Sequence, residues 1–295
     1  MSVAVVGHCG SVRSRRARRL AARVALACAV LSGLARAGAA QAASATGIVL
    51  RLHPRVGDTL RTRLEQLTEV TEARAAGTAK PMTTSVIVLT RTIVQASRQA
   101  TTTVLTIVDS ASVHSSDTHG AAMSAQAERV LRRQRMIVQL AEDGSVEGAR
   151  DASGVAVPRD VADAMAAMPA VLPRRPVSVG ERWQREMPLP SARPIGTGSS
   201  AQIRAEFRLD SLSADGDRAF VSMHGQIASD ADARGVDMTG SVSGAMQIDR
   251  ARGWMTESFF TVLIRSVVTP PSGMGMQPMR FVTKVTQHLR TMDKR

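Results

Sequence analysis

The chain has 295 residues and a formal charge of +13, from 38 Lys and Arg against 25 Asp and Glu; only 2% of it is aromatic, and it has no Tyr. A nucleic-acid surface needs concentrated cations interleaved with stacking aromatics. Here every aromatic lies at or beyond Trp183 and the only lysines are Lys80, Lys284 and Lys294, so nucleic acid is excluded as a partner.

The first 42 residues read as an export signal. Arg13, Arg15, Arg16, Arg18, Arg19 and Arg23 make a basic segment, an apolar run follows over 24–31, and Ala35-Arg36-Ala37 and Ala40-Gln41-Ala42 offer cleavage sites. The apolar run is too short to span a bilayer. The paired arginines permit a twin-arginine route, and Ala25-Leu26-Ala27-Cys28 offers lipoprotein anchoring at Cys28 as the lesser alternative. Removing residues 1–42, with seven arginines and no acid, lowers the formal charge from +13 to +6. Both cysteines, Cys9 and Cys28, leave with it. The mature chain then has no thiol nucleophile, CxxC centre or thiolate metal site. No later run is apolar for about 18 residues, so no transmembrane segment is expected there. The expected organisation is a signal peptide, 1–42, and one β-rich domain, 43–295, periplasmic or secreted.

In chain order, residues 48–52 are a short strand candidate. Pro54-Arg55-Val56-Gly57-Asp58 then turns into an alternating stretch, residues 60–70, whose period of two marks a strand with one wet face. Residues 72–82 are a polar loop. Two β-branched runs, 84–96 and 101–113, make a hairpin. Residues 115–123 read as a mobile polar loop, and 125–135 as a short helix or an extension of the next strand. Residues 136–140, the Asp143-Gly144 turn and Val146 form another hairpin. Residues 158–168 give the clearest helix, with Pro158 in its first turn and Val161, Met165 and Met168 on one face.

Pro176-Val177-Ser178-Val179-Gly180-Glu181-Arg182-Trp183 echoes the earlier turn, 123 residues on. Alternating strands follow at 202–212, 218–229, 236–249, 254–269 (read as the longest) and 279–292. Gly240 and Gly244 on one face permit a sharp bend. The pattern predicts a mainly β fold: long antiparallel strands in a curved sheet or incomplete barrel, covered by one or two short helices. The echo suggests two related halves, 48–150 and 175–292, joined by a helical linker, 158–172. Trp183 is expected to anchor the core.

Catalytic signatures are missing: no GxSxG, HExxH, P-loop or dinucleotide fingerprint occurs. His114, Asp117 and His119 read as solvated loop residues rather than a metal site, and His224 and His288 read as satisfied strand residues, with a meeting across the sheet as the alternative. The M-x-M-x-x-M run at Met274, Met276 and Met279 reads as a loop over a sheet end, with an apolar lip or a Cu(I) site as alternatives.

The Pro-Val-Ser-Val-Gly-Glu-Arg-Trp phrase, Gly-Ser-Val-Ser-Gly-Ala-Met-Gln-Ile-Asp and Met-Arg-Phe-Val-Thr-Lys-Val-Thr-Gln together resemble exported bacterial β-rich proteins of unassigned function. Their architecture resembles the half-barrels of the lipoprotein-carrier type, which implies an apolar cleft for acyl chains. The expected function is therefore non-enzymatic binding of a lipid or lipoprotein acyl chain. The expected lining is Met165 and Met168 on the helix, Met246, Trp254, Phe260 and Val262 on the sheet, and Met274 and Met276 in the loop. No catalytic residue, metal or cofactor is expected. The alternative is a structural or assembly module that binds an envelope protein through a strand edge or the Met-rich loop; a hydrolase is the third reading.

Overall fold

A computed structural model of the chain describes residues 47–74, 77–78, 81–117, 120–132, 134–153, 171–188, 201–229, 236–269 and 277–292. The period-two stretches become strands. They are β1 (Thr59–Arg74), β2 (Gly77–Thr78), β3 (Met82–Arg98), β4 (Thr101–Ser115), β5 (Arg135–Ala141) and β6 (Val146–Asp151), with α1 (Gly120–Leu131) between β4 and β5. The second series is β7 (Arg182–Pro188), β8 (Ala201–Leu212), β9 (Arg218–Ser229), β10 (Val236–Asp249), β11 (Trp254–Val268) and β12 (Met279–Met292). Eleven of them form one antiparallel sheet in the order β6-β5-β4-β3-β1-β12-β11-β10-β9-β8-β7, with β2 beside β1. The sheet is not closed into a barrel. Its two halves join where β1 lies on β12, from Arg61 opposite Met292 to Ala73 opposite Arg280.

Several expectations change. Residues 48–52 form no strand; Ile48 makes a single bridge to Val177. The stretch 115–123 is not a plain loop, because β4 runs to Ser115 and α1 begins at Gly120. The ambiguous run at 125–135 is helix as far as Leu131. The longest strand is β3, with 17 residues against 15 for β11. The expected helix at 158–168 lies outside the described residues.

The position of α1 follows from an edge problem. β5 pairs β4 only from Thr101 to Ile107, so the rest of β4 would present bare backbone groups, a template for unwanted pairing. The segment of α1 and its exit satisfies them. Gln134 O accepts from Val108 N, Glu128 Oε1 accepts from Val113 N (2.8 Å), and Arg132 donates twice to Ala111 O (3.2 and 3.1 Å).

The echoed phrases fold into the same device. Gly57 and Gly180 adopt φ of 90° and 86°, where a side chain is strained. Asp58 N donates to Arg55 O and Glu181 N to Ser178 O, both at 3.0 Å. Each acid turns back to accept from the first residue of its turn: Arg55 N to Asp58 Oδ2, 3.2 Å, and Ser178 N to Glu181 Oε2, 2.7 Å. Each turn then docks on the next long strand, through Gly57 N to Val94 O and Gly180 N to Leu209 O. Val94 N returns to Asp58 O and Leu209 N to Glu181 O. One device launches β1 and the other launches β7, and both meanders advance across the sheet in the same direction.

One face is the inside. On β8, Ala201, Ile203, Ala205, Phe207 and Leu209 are buried, while Gln202, Arg204 and Arg208 between them are exposed. The inner face of β7–β11 packs on Leu50, Leu172 and Val177, each at most 2% exposed, from the segments 47–54 and 171–177. A smaller cluster of Val94, Val104 and Val138 lies under the opposite wing.

The segment 171–177 acts as a strap. Trp183 Nε1 of β7 donates to Val171 O (2.9 Å), and Arg185 Nη2 of β7 donates to Leu172 O (2.6 Å). Leu172 N itself donates to Asp143 O in the β5–β6 turn, 3.0 Å away. In a flat sheet β5 and β7 would stand nine strand spacings apart, about 43 Å at ~4.8 Å each. Two adjacent residues reach both, so the sheet curls until its wings meet. Three inner-face glycines let it do so. A Cβ on Gly240 would fall 2.2 Å from Leu263 O, one on Gly244 2.4 Å from Phe259 O, and one on Gly225 2.5 Å from Arg204 O. The bulge between Gln247 and Ile248 sharpens the coil further.

Asp143, 7% exposed, locks the strap: it accepts from Ser145 Oγ (2.7 Å) and Arg174 Nε (2.9 Å). Burial alone would raise its pKa; the hydrogen bonds from Ser145 and Arg174 outweigh that and hold it below the ordinary value of 3.8. A depressed pKa adds stability above the unfolded value, and this is lost as pH falls through the folded one. Urea unfolding of Asp143→Asn should therefore show lower stability than the parent at neutral pH, and a gap that narrows below about pH 4. A gap independent of pH would refute the assignment.

Candidate ligand-binding face

The inner face is unevenly filled. Across β8–β10 it is sealed: Phe207 and Leu209 are 0% exposed, Val221 1%, Ile227 3% and Met246 3%. Across the central strands β3, β1, β12 and β11 the same face is only half-buried. Registers define its rows. Val86, Gln66, Gln287 and Phe260 form one; Thr84, Thr68, Val285 and Val262 the next; Met82, Val70, Thr283 and Ile264 a third. On the other side of the first row lie Val88, Leu64 and Leu289. The panel is therefore aliphatic and threonine-rich, with two adjacent amides at Gln66 and Gln287.

The physical cause is size. A barrel of about eight strands is just filled by its own side chains, and a wider one needs something else inside. Eleven strands curl around the strap and residues 47–54. Thr62 and Thr90 pair their hydroxyls directly, and Thr92 lies 3.5 Å from Thr106, so hydroxyl groups on the lower panel satisfy one another.

Of the expected lining, Met246, Phe260 and Val262 do share this inner face, on β10 and β11. Met246 is wholly buried in the core, and Phe260 and Val262 pack at its margin. Trp254 does not share it. The bulge between Gln247 and Ile248 turns Met255 inward beside Ile248 and leaves Trp254 opposite Asp249 on the outer face. Met165, Met168, Met274 and Met276 lie outside the described residues. Leu64, Val70, Val86, Val285 and Leu289 were missed, because nothing local in the sequence pairs β1 with β12.

The other polar candidates stay apart. His224 on β9 sits 3.4 Å from Glu206, while His288 on β12 meets Glu257 at 2.8 Å, so three strand spacings separate the histidines. Both are on the outer face. His114 bonds Ser112, 3.1 Å away. Among the described residues no three of His, Cys, Asp and Glu converge on a metal-sized site. An open cleft of about 430 Å³ lies where β1 begins, among Arg55, Asp58, Arg252, Thr291 and neighbours. Asp58 there is committed to its own turn.

Trp183 is structural. It is 8% exposed and stacks on Phe207 with ring centroids 5.7 Å apart and planes 11° from parallel. Two residues along β7 on the same face, Arg185 is half-buried, and its Nε is buried without a partner.

No family model matches the chain, and no curated protein matches it. Among solved structures it is similar to lipovitellin, in a structure concerned with lipid–protein interactions, at 6% identity over 82% of this chain and 26% of that one, with a TM-score of 0.47. The chain thus spans about a quarter of lipovitellin. It is also similar to an outer-membrane channel from Pseudomonas putida, at 10% identity over 84% of this chain and 98% of that one, with a TM-score of 0.20. Neither likeness carries any residue or role to this chain. Among the described residues no helix is long and apolar enough to cross a membrane.

Proposed function

We propose that this is an exported, non-enzymatic binding protein that holds an elongated apolar molecule, of the acyl-chain kind, against the inner face of the curled sheet. The observation that carries this reading is the central panel: Leu64, Val70, Val86, Val285 and Leu289 face inward yet stay half-exposed, while the same face across β8–β10 is sealed. An apolar surface with a few polar groups, held on a rigid scaffold, is the common form of a small-molecule site. The Gln287 side chain makes no hydrogen bond among the described residues, and with Gln66 it offers donors and acceptors to a polar group on the ligand. The strand-edge alternative is weakened where α1 already covers the free length of β4.

Native mass spectrometry of the protein purified from envelope extracts tests this. The parent should carry a bound lipid-sized mass. Val285→Lys, which puts a charge in the panel, should lose it while circular dichroism stays unchanged. A parent that carries nothing, and takes up no fluorescent acyl probe, would sink the proposal.

A further inference from the structure

Among the described residues the inner face holds one cation, Arg185, that its surroundings do not explain. The cross-strand row through it runs Arg185, Ala205, Gly225, Val242, Val262, Val285 and Thr68, so it lies at one end of the row that crosses the central panel. Its same-face neighbours on β7 are Trp183 and Met187, 8% and 6% exposed, and the next two residues along the row are Ala205 and Gly225. Nη2 donates to Leu172 O, but Nε is buried with no acceptor, and among the described residues no carboxylate pairs with this arginine. The acid of the β5–β6 turn that holds the strap, Asp143, is already engaged by Arg174 and Ser145. Other arginines of this wing do have acids: Arg182 pairs with Glu206, Arg204 with Glu186 and Arg208 with Asp210. A partly buried cation without an anion is costly unless something supplies one, and the planar fork of Arg suits an oxyanion.

We infer that Arg185 binds the anionic head, carboxylate or phosphate, of the apolar molecule held inside the sheet. The inference rests on the binding function proposed above and makes the ligand an anionic amphiphile. The strap then serves two ends: Leu172 O orients the guanidinium, and the seam between the wings is where the head sits while the chain lies along the panel.

Binding of three matched probes to the full chain tests this: a long-chain fatty acid, the alcohol of equal length and the corresponding alkyl phosphate. The parent should prefer one or both anions over the alcohol by about tenfold or more, the scale of a charge-assisted hydrogen bond. Which anion it prefers distinguishes carboxylate from phosphate. Arg185→Gln should lose the preference for the anion over the alcohol, and Arg185→Lys should keep part of it. A parent that binds acid, phosphate and alcohol alike overturns the inference and leaves the apolar site standing, a result that needs no variant. Retention of the preference in Arg185→Gln overturns it equally. A parent that binds none of the three removes the binding function itself, and this inference with it.

Discussion

Trp183→Ala should destabilise the protein by about 3–5 kcal/mol, the range for emptying a large aromatic site in a packed core. Three losses combine. The indole is 8% exposed, so nearly all its apolar surface leaves water on folding. It stacks on Phe207, which is itself fully buried and cannot move to fill the hole. And Nε1 donates to Val171 O, one of the contacts that fasten the strap to β7. Trp183→Phe separates these: it keeps most of the stack and the volume but loses the donor, leaving Val171 O short of a partner. Its cost should be about 1–3 kcal/mol, the penalty for an unsatisfied buried group. Guanidinium unfolding followed by far-ultraviolet circular dichroism gives both values. If Trp183→Ala cost less than about 1 kcal/mol, the residue would belong to a mobile surface rather than to the core.

The strap also shows where sequence reading stops. The strands themselves are legible because alternation is a local signal: at 202–212, Ile203, Ala205, Phe207 and Leu209 alternate with charges, and the structure buries that same set. The two launching turns are legible too, since a glycine at positive φ and an acid that caps its own turn act within four residues. What joins them is not local. The pairing of β1 with β12 brings together residues more than 200 positions apart, and no motif in either strand announces it. Yet this pairing makes the panel, by setting Leu64 beside Leu289 and Thr68 beside Val285. Of the lining expected from sequence, Met246, Phe260 and Val262 fall on the inner face of β10 and β11, and none falls on β1, β3 or β12. Trp254 failed for a smaller reason of the same kind: one bulge reverses the alternation beyond it. Residues 48–52 look like a strand because they are mostly apolar, but they join no ladder: Leu50 is buried in the core while Val49 and Arg51 are exposed.

Gly240→Ala should cost about 1–3 kcal/mol or somewhat more, the penalty for forcing atoms into a packed site. Its φ is not in the left-handed region, so no backbone strain contributes. The whole effect is contact: the new Cβ would lie 2.2 Å from Leu263 O and 3.1 Å from Ile264 Cα, both backbone atoms that no rotamer change can move. β11 must shift outward, and the curl relaxes at that point. Gly57→Ala is the natural contrast. Nothing lies within 4 Å of its added Cβ, but its φ is 90°, so its cost is conformational, about 1–2 kcal/mol, and confined to a turn. The two variants should thus differ in kind. Gly240→Ala should also weaken uptake of an acyl probe, because Ile264, directly opposite Gly240, belongs to the central panel. Gly57→Ala should leave uptake as it is in the remaining folded protein. Equal stability of Gly240→Ala and the parent would mean that β10 and β11 are not pressed together there. The sheet would then be flatter than the strap requires, and the panel too open to hold a chain against its inner face.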